Sequence, residues 1–460
     1  MFPVEAVTSD ALEALLFALS VLGVLLLVGV LIRVKIGALR RLFIPAALVA
    51  GAVGLALGPY GAGLFPDAMV ETWAGLPKLL ITVVFAPMLL GVQLPRIRQT
   101  YHLIAPQLLF GYLGDFLMIG VPLVVSALLL APIWGVNEMF GTLVEVGWPG
   151  GHGTAGGMIG VYEAQGWSAG GSLGLTSATA GLLVGIVVGM LLINWGVRRG
   201  HARLVINSGK VDAGDAADIT PESARLPLGH STLNKNLIET LSFHGSLIAV
   251  AILIGWVLQH YVEKLVPGMP LFPLAMIGGA IVQQLIGRTR FNDAIDPMCL
   301  RIIQGVALDF LIVAAIASIE LPVVVHYAVP FALLMVVAAA VSISFFFWAG
   351  PRIFAQDWFE QAIVNFGTMT GVSSVGLMLL RTVDPELETV AARAYALRAP
   401  FISPFIGGGL VTALLPALTV SYGAFIIGSC FLAASLVLLL LARVGGLWNP
   451  RRRAERGIAP

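Results

Sequence analysis

The stretch EVGWPGGHGTAGGMIG, residues 145–160, is too rich in glycine to form an uninterrupted helix, although it lies within a largely apolar chain. A glycine in a helix interior costs about 1 kcal/mol relative to alanine, and a proline such as Pro149 costs about 3 kcal/mol. A second stretch, NFGTMTGVSSVG at 365–376, shares the pattern Gly-Thr-x-x-Gly with the first. The sequence therefore predicts two broken helices, one in each half of the chain.

The composition around these two stretches is that of a membrane protein. Of the 460 residues, 58% are hydrophobic and 11% are charged, whereas soluble proteins carry about 25% charged residues. The net charge of +1 provides no basic surface for nucleic acid. Two cysteines, Cys299 and Cys430, are too few for a disulfide framework or a thiolate metal site. We therefore expect a lipid bilayer as the surroundings, and no nucleic-acid partner.

A helix needs about 20 mostly apolar residues to cross a hydrocarbon core of about 30 Å, because its backbone polar groups must be satisfied internally. About eleven runs meet this requirement. They are 11–32, 42–58, 79–94, 103–131, 172–195, 239–258, 270–287, 299–318, 322–348, 399–418 and 422–443. The stretches 138–162 and 358–382 are semi-polar and rich in Gly, Ser and Thr, so they are not counted as spans.

Basic residues test this count, because Lys and Arg should collect on the cytoplasmic connections only. The intervening connections hold only Lys78 and Lys264. The alternate connections and the tail contain Arg33, Lys35, Arg40, Arg41, Arg96, Arg98, Arg198, Arg199, Arg203, Arg288, Arg290, Arg352, Arg393, Arg398, Arg443 and 451–453. This alternation predicts a multi-pass protein of the cell (inner) membrane with its N-terminus outside and its C-terminus in the cytoplasm. It holds only if 138–162 and 358–382 are re-entrant hairpins.

The order of elements is repeated along the chain. Residues 1–196 contain four spans, the hairpin 138–162 and a fifth span, and residues 237–420 repeat this order around the hairpin 358–382. Residues 197–236 form a polar cytoplasmic linker, and 421–460 add a C-terminal span and a basic tail. Because five crossings reverse the chain, the second repeat is inverted relative to the first. An all-α polytopic fold with two inverted repeats is typical of secondary transporters.

The two hairpin tips, which we expect to meet near the middle of the bilayer, are the candidate substrate site. A break at membrane depth exposes N–H groups that attract anions, and carbonyl and hydroxyl oxygens that bind Na⁺. The alternative is that these small residues form close-packed helix interfaces. The candidate substrate-binding residues are Gly151, His152, Gly153, Thr154, Gly367, Thr368, Thr370, Gly371, Ser373 and Ser374.

Ionisable and hydroxyl side chains within the spans are the candidate cation ligands. A charged side chain at the bilayer centre costs about 2.5–3.5 kcal/mol, so we expect each such group to have a bonding partner or a function. The candidates are Asp115, Asp309, Ser177, Thr179 and Asn365. The alternative for either aspartate is a hydrogen bond to a neighbouring helix, or hydration near the membrane surface.

Two further charged residues permit two interpretations each. Glu145 either caps a half-helix or has a functional role. Arg381 either binds a carboxylate through its planar fork or anchors the membrane interface as a pair with Asp384.

The motif GGHGT at 150–154, followed by the span LTSATAGLLVGIVVG at 175–189, resembles the sodium/glutamate symporter family. The resemblance implies a Na⁺-coupled, homodimeric carrier of an amino acid such as glutamate, or of a related small carboxylate. It further implies a scaffold domain and a moving, elevator-type transport domain that carries both hairpins.

Three classes of function are compatible with a polytopic membrane protein of this kind: a transporter, an intramembrane enzyme and a channel. The preferred one is a secondary active transporter with no cofactor, in which Na⁺ is the only metal ion and is transported. A proton carried by Asp115 or Asp309 is the alternative coupling ion. An intramembrane enzyme would need a nucleophile and base within reach, which the sequence does not suggest. A channel would usually repeat one filter around a symmetric oligomer, whereas the two hairpins differ in sequence.

Overall fold

A computed structural model describes residues 6–41, 44–92, 97–202, 229–234, 236–264, 269–384 and 387–449. Within these residues the protein is helical and has no strand. In the first half the helices are α1 (Ser9–Lys35), α2 (Gly37–Arg41), α3 (Ala46–Leu57), α4 (Asp67–Phe85), α5 (Ile97–Val125), α6 (Ala131–Trp134), α7 (Thr142–Gly147), α8 (Gly151–Gly157), α9 (Ile159–Ala164) and α10 (Ala169–Arg198). In the second half they are α11 (Thr240–Val262), α12 (Leu271–Ile286), α13 (Pro297–Ala317), α14 (Leu321–His326), α15 (Ala328–Ile353), α16 (Trp358–Val383), α17 (Val390–Ile402), α18 (Leu410–Tyr422) and α19 (Ala424–Val444).

The expectation of an all-α polytopic membrane protein is confirmed. In the described part of the chain, nine helices are long and apolar enough to cross a bilayer, and α3, α12 and α18 are shorter apolar helices. The number of crossings, about eleven in our prediction, stays a prediction, because α16 meets the length criterion and yet contains a break.

Two of the predicted spans differ from the observed helices. The run 79–94 belongs to a helix that begins earlier, at Asp67, and ends at Phe85. The run 399–418 is not one helix, because α17 ends at Ile402 and α18 begins at Leu410. The sequence between them, SPFIGGG, contains Pro404 and three glycines, which explains the interruption. Most of the predicted linker 197–236 lies outside the described residues.

The chain forms two compact units, and each takes helices from both sequence halves. The first unit comprises Met1–Gln93, Gly156–Val161 and Asn207–Leu321, and thus contains α1, α3, α4, α11, α12 and α13. Its helices approach closely at small residues. A methyl group on Gly29 of α1 would lie 2.8 Å from the Cβ of Ala50 in α3, and one on Gly255 of α11 would lie 2.7 Å from the Cα of Ala275 in α12. The pair α1 and α3 and the pair α11 and α12 are therefore each joined by a close contact between a glycine and an alanine.

The second unit comprises Leu94–Ala155, Tyr162–Ile206 and Pro322–Pro460, and it contains the breaks in both predicted hairpins. Aromatic packing joins α5 to α15 and to the residue that follows it, with ring centroids 4.6 Å apart for Phe110 and Phe345 and 5.1 Å apart for Phe110 and Phe354. Helix α5 also packs closely on α19, where a methyl group on Gly428 would lie 2.9 Å from the carbonyl oxygen of Gly120. These contacts fix the helices that surround the candidate site.

Candidate functional site

The second hairpin turns back on itself in the middle of α16. The backbone leaves helical geometry at Gly371 (φ −148°, ψ 37°) and Val372 (φ 61°, ψ 175°). A methyl group on Gly367 would lie 2.7 Å from the Cα of Gly376, whereas nine residues of straight helix would separate the two by about 13 Å. The two arms therefore lie side by side, and the predicted break at 365–376 is present. Re-entry of this hairpin into a bilayer stays a prediction.

Val372 holds a strained backbone conformation at the tip of the second hairpin. A positive φ is rare for a β-branched residue and costs about 1–3 kcal/mol where surrounding structure imposes it. The surrounding structure includes the tip of the first hairpin, because a Cβ on Gly151 would collide with Cγ1 of Val372. The two tips are thus in contact, as the sequence predicted.

The first hairpin breaks between Gly147, where α7 ends, and Gly151, where α8 begins. The side-chain oxygens of Thr142 and Tyr162 are 2.8 Å apart and share a hydrogen bond. Twenty residues of straight helix would span about 30 Å, so the chain must reverse between them. Gly151 has a φ of +68°, a conformation that glycine adopts without the penalty of a Cβ.

Helix α10 supports both tips through a glycine face. A methyl group on Gly181 would lie 2.7 Å from the ring of Trp148, and one on Gly185 would lie 2.7 Å from Oγ1 of Thr370. A methyl group on Gly189 would lie 2.5 Å from the Leu379 side chain. Small residues on α10 thus form close-packed interfaces, and so do Gly367 and Gly376 between the arms of the second hairpin, while Gly151 permits the contact between the tips.

A cavity of about 60 Å³ lies beside the hairpin tips. Each water-sized group needs about 10–15 Å³ on this measure, so the cavity has room for about four of them. Five parts of the chain supply its walls: α5, the first tip, the second hairpin, α17, and the irregular segment 403–409. The lining residues are Asp115, Pro149, Thr368, Met369, Ser373, Tyr395, Arg398, Ala399, Ile402, Ser403, Ile406 and Gly407.

Arg398 is the only cationic side chain among these lining residues, and it is 5% exposed. Its Nη1 atom is buried and has no hydrogen-bond partner. Its Cζ atom lies 4.6 Å from the ring centroid of Tyr395, and a methyl group on Gly111 of α5 would lie 2.5 Å from Nη1. A buried guanidinium with an unpaired N–H group is costly unless a ligand completes its hydrogen bonds.

Two buried carboxyl groups belong to the same charged cluster as this guanidinium. Asp115 of α5 is buried, lines the cavity and attracts Arg398. Glu145 of α7 is completely buried and interacts electrostatically with Asp115. With both carboxyl groups ionised, the three side chains carry a net charge of −1. A monovalent cation would neutralise that charge.

Glu145 joins the first hairpin to the interrupted segment between α17 and α18. Its Oε1 accepts hydrogen bonds from the backbone N–H of Gly407 at 2.9 Å and from the hydroxyl of Thr412 at 2.8 Å. These donors lie at the start of α18, where a negative charge is favourable. Glu145 therefore holds the chain before α18 and the first turn of that helix, while its Oε2 atom is buried and has no hydrogen-bond partner.

Among the predicted residues, Asp115, Thr368 and Ser373 line the cavity, and Gly151 and Gly371 form the two tips. The hydroxyl of Thr368 donates to the carbonyl of Val364 at 2.8 Å and lies 2.9 Å from the hydroxyl of Tyr395. Since the Thr368 proton is used, Tyr395 is the donor of the second bond. This bond links the second hairpin to α17.

Several other predicted residues are engaged in packing near the tips. The His152 Nε2 atom is 3.0 Å from the Thr179 hydroxyl, and the Ser177 hydroxyl donates to the Leu143 carbonyl at 2.7 Å. Thr370 donates to the Phe366 carbonyl at 2.8 Å. Gly153 and Thr154 lie in α8, and Gly367 lies between the arms of the second hairpin. These residues position the tips.

Asn365 belongs to a buried amide network at the base of the second hairpin. Its Nδ2 donates to Oε1 of Gln107 at 2.9 Å, and Gln107 donates to Oε1 of Gln361 at 3.0 Å. The network joins α5 to α16. The Asn365 Oδ1 atom is buried without a hydrogen-bond partner, so an oxygen ligand is present there.

The structure does not bring Asp309 and Ser374 into the cavity. Asp309 lies in α13 of the first unit, and its side chain is exposed, as is that of Ser374. Arg381 is also exposed. Its suggested partner Asp384 instead accepts hydrogen bonds from the Thr389 backbone and hydroxyl.

Sequence reasoning missed Arg398, Tyr395 and the segment 403–409. Arg398 was counted as a basic residue of a cytoplasmic connection, yet the structure buries it beside the hairpin tips. A signal was present in the sequence, because FISPFIGGGL at 401–410 combines proline and glycine within an apolar run. The criterion that identified the two hairpins would have identified this third break.

These features define a polytopic membrane protein with a charged site between broken helices, as in secondary transporters. A family model described as sodium/glutamate symporter matches residues 8–373. Because this match covers well over half of the chain, the protein belongs to the sodium/glutamate symporter family. No individual curated protein matched the chain. The family match ends at Ser373, so the roles of Tyr395, Arg398 and Gly407 rest on the structure alone.

Proposed function

We propose that this protein is a Na⁺-coupled symporter of an amino acid with an additional carboxylate, such as glutamate. Membership of the family supports the class of activity. The observation that supports this substrate best is the buried Arg398, whose Nη1 is unpaired beside the hairpin tips. A planar guanidinium fork recognises a carboxylate by two parallel hydrogen bonds.

The other lining groups complement the rest of an amino acid. Asp115 supplies a negative charge for the ammonium group, and Ser373 and Tyr395 supply hydroxyl groups within the same walls. The second arm of α16 starts near Ser373, so its helix N-terminus adds N–H donors for an anionic group. A cavity of about 60 Å³ is smaller than a whole amino acid. Substrate entry therefore requires the tips and the segment 403–409 to separate.

The coupling cation would bind where the negative charge is in excess. Asp115 and Glu145 carry two carboxyl groups against the one guanidinium of Arg398. The Glu145 Oε2 atom is available as an oxygen ligand. Bound Na⁺ would balance the site, and the substrate carboxylate would then meet less repulsion, so each ligand raises the affinity of the other. A proton on Glu145 is the second candidate, and the same unpaired Oε2 favours it.

Alternating access would move the site as one piece. Both hairpin breaks, Asp115, Glu145 and Arg398 belong to the second unit. In an elevator-type cycle this unit is the transport domain and the first unit the scaffold. We further propose a homodimer in the cell membrane, with the N-terminus outside and the C-terminus in the cytoplasm.

The proposal is tested by uptake of labelled L-glutamate into proteoliposomes under an imposed Na⁺ gradient, and separately under an H⁺ gradient. We expect accumulation with Na⁺ and its loss in Thr368→Val, which removes the hydrogen bond from Tyr395. Exposed Ser374→Ala serves as the matched hydroxyl control and should transport normally. Accumulation with H⁺ alone would support the second candidate. Leakage without a gradient would indicate a channel, and chemical conversion of glutamate would indicate an enzyme.

A further inference from the structure

An apolar groove of about 420 Å³ runs along the surface of the second unit, between α5 and α15. Both helices are candidate membrane spans, so the groove lies at the depth of the hydrocarbon. Its walls are apolar except for one hydroxyl. The lining residues are Leu117, Val121, Val337, Ala340, Val341, Ser344, Phe345 and Trp348.

Two tryptophans that pack against each other lie at one end of the groove. The ring of Trp348 packs on the ring of Trp448 with centroids 4.9 Å apart. Trp448 follows the end of α19, and the next residue, Asn449, donates its backbone N–H to the Arg352 carbonyl at 2.6 Å. The ends of α15 and α19 are therefore joined at this point. Tryptophan pairs at span ends are typical of the membrane interface, where one edge of the ring is apolar and the other is wet.

Two arginines accompany these tryptophans. Arg352 lies one turn beyond Trp348 and donates from Nη1 to the Trp348 carbonyl at 2.5 Å. The Cζ atom of Arg443 lies 5.8 Å from the ring centroid of Trp448. Two positive charges thus flank the end of an otherwise uncharged groove.

We propose that this groove binds an anionic phospholipid, with one acyl chain along α5 and α15 and its phosphate at Arg352 and Arg443. A guanidinium recognises phosphate oxygens by paired hydrogen bonds, and anionic lipids are attracted to arginines near the membrane surface. From Val337 to Trp348 the groove follows twelve residues of α15, or about 16 Å. That length matches one leaflet of a hydrocarbon core of about 30 Å. An apolar groove that ends in positive charge is complementary to a molecule with an acyl chain and a negative headgroup.

The headgroup contacts are tested by native mass spectrometry of the full-length protein, titrated with phosphatidylglycerol or with phosphatidylcholine. We expect tighter binding of phosphatidylglycerol. Each arginine near the surface contributes about fivefold, so Arg352→Gln with Arg443→Gln should weaken that binding by about 30-fold and leave phosphatidylcholine nearly unchanged. Arg301→Gln is the matched control, because Arg301 is exposed and also donates to a carbonyl four residues earlier in its own helix. Equal loss in the control, or no loss in the double variant, would overturn the proposal.

The acyl-chain contacts are tested by filling the groove. Ala340→Phe places a ring in the groove, whereas Val336→Phe places one on an exposed position of the same helix outside it. We expect Ala340→Phe to abolish the tight phosphatidylglycerol adduct and Val336→Phe to retain it, with equal thermal unfolding in phosphatidylcholine nanodiscs. Retention of the adduct in Ala340→Phe would overturn the proposal. A change of oligomeric state without a change in lipid binding would assign the groove to a second copy of the chain and would also overturn it.

Discussion

Replacement of Arg398 by glutamine should separate the binding role of this residue from its structural role. The side chain is 5% exposed, attracts Asp115, and has an unpaired Nη1 beside the cavity. Removing one partner of a buried, hydrogen-bonded charge pair costs about 2–5 kcal/mol of binding. The dissociation constant for glutamate should therefore rise by about 30-fold to about 4,000-fold. Isothermal titration calorimetry in saturating Na⁺ measures this change.

The same substitution should destabilise the protein, because Asp115 is left without its positive partner. A buried carboxylate that loses a nearby positive charge is destabilising, since its desolvation is then no longer offset. The double variant Asp115→Asn with Arg398→Gln should recover most of this loss in thermal unfolding, yet it should not recover glutamate binding. Arg393→Gln is the control, since Arg393 is an exposed arginine of the same helix. Wild-type affinity in Arg398→Gln, or a double variant whose loss equals the sum of the single losses, would refute the reasoning.

Three further substitutions test other parts of the site and fold. Glu145→Gln keeps an oxygen that accepts hydrogen bonds from the Gly407 N–H and the Thr412 hydroxyl, but it removes the negative charge. Half-maximal uptake should therefore require at least about tenfold more Na⁺. An unchanged Na⁺ requirement would exclude Glu145 from the cation site. Gly376→Ala places a methyl group against the Thr368 hydroxyl and the Val364 carbonyl, which should lower the free energy of unfolding by about 1–3 kcal/mol. In the control Gly245→Ala the methyl group enters open space and should not lower it. Equal effects of the two substitutions would argue against the closely packed hairpin. Burial alone would raise the pKa of Asp296, but hydrogen bonds from the His230 and Met298 backbones and the adjacent His230 ring hold that pKa below its usual 3.8. A lowered pKa in the folded state adds stability above pH 3.8 that is lost as the pH falls through the folded-state pKa. The stability of the wild-type protein should therefore fall as the pH drops below 3.8, and that of Asp296→Asn should fall less; parallel pH profiles would contradict this.

The helical breaks could be predicted because glycine and proline act locally. The cost of placing Gly150 or Pro149 in a helix does not depend on the rest of the fold, so the sequence alone located both hairpins. Their contact with each other was predicted from the matched positions in the two repeats. The observed packing of Gly151 against Val372 agrees with that expectation.

The partners within the cavity could not be predicted in the same way. An arginine near the end of an apolar run can lie at the membrane interface or in the protein interior. Which of the two applies depends on where the helix ends within that run. The hydropathy of 399–418 predicts a single span, and Arg398 would then lie at the edge of that span. Because the helix instead ends at Ile402 and resumes at Leu410, Arg398 is buried beside Asp115 of a helix nearly three hundred residues away in sequence. Contacts of this kind depend on tertiary packing, which a single sequence does not reveal.

The central claim is that the cavity binds a substrate carboxylate through Arg398, and that Glu145, which accepts a hydrogen bond from Gly407 of the cavity wall, binds the coupling cation. The most direct measurement is the dissociation constant of L-glutamate as a function of Na⁺ concentration, for wild-type protein and for Glu145→Gln. The wild-type affinity should rise with Na⁺ and saturate, and Glu145→Gln should require a higher Na⁺ concentration to reach the same affinity. A glutamate affinity that does not depend on Na⁺ in the wild-type protein would contradict the claim.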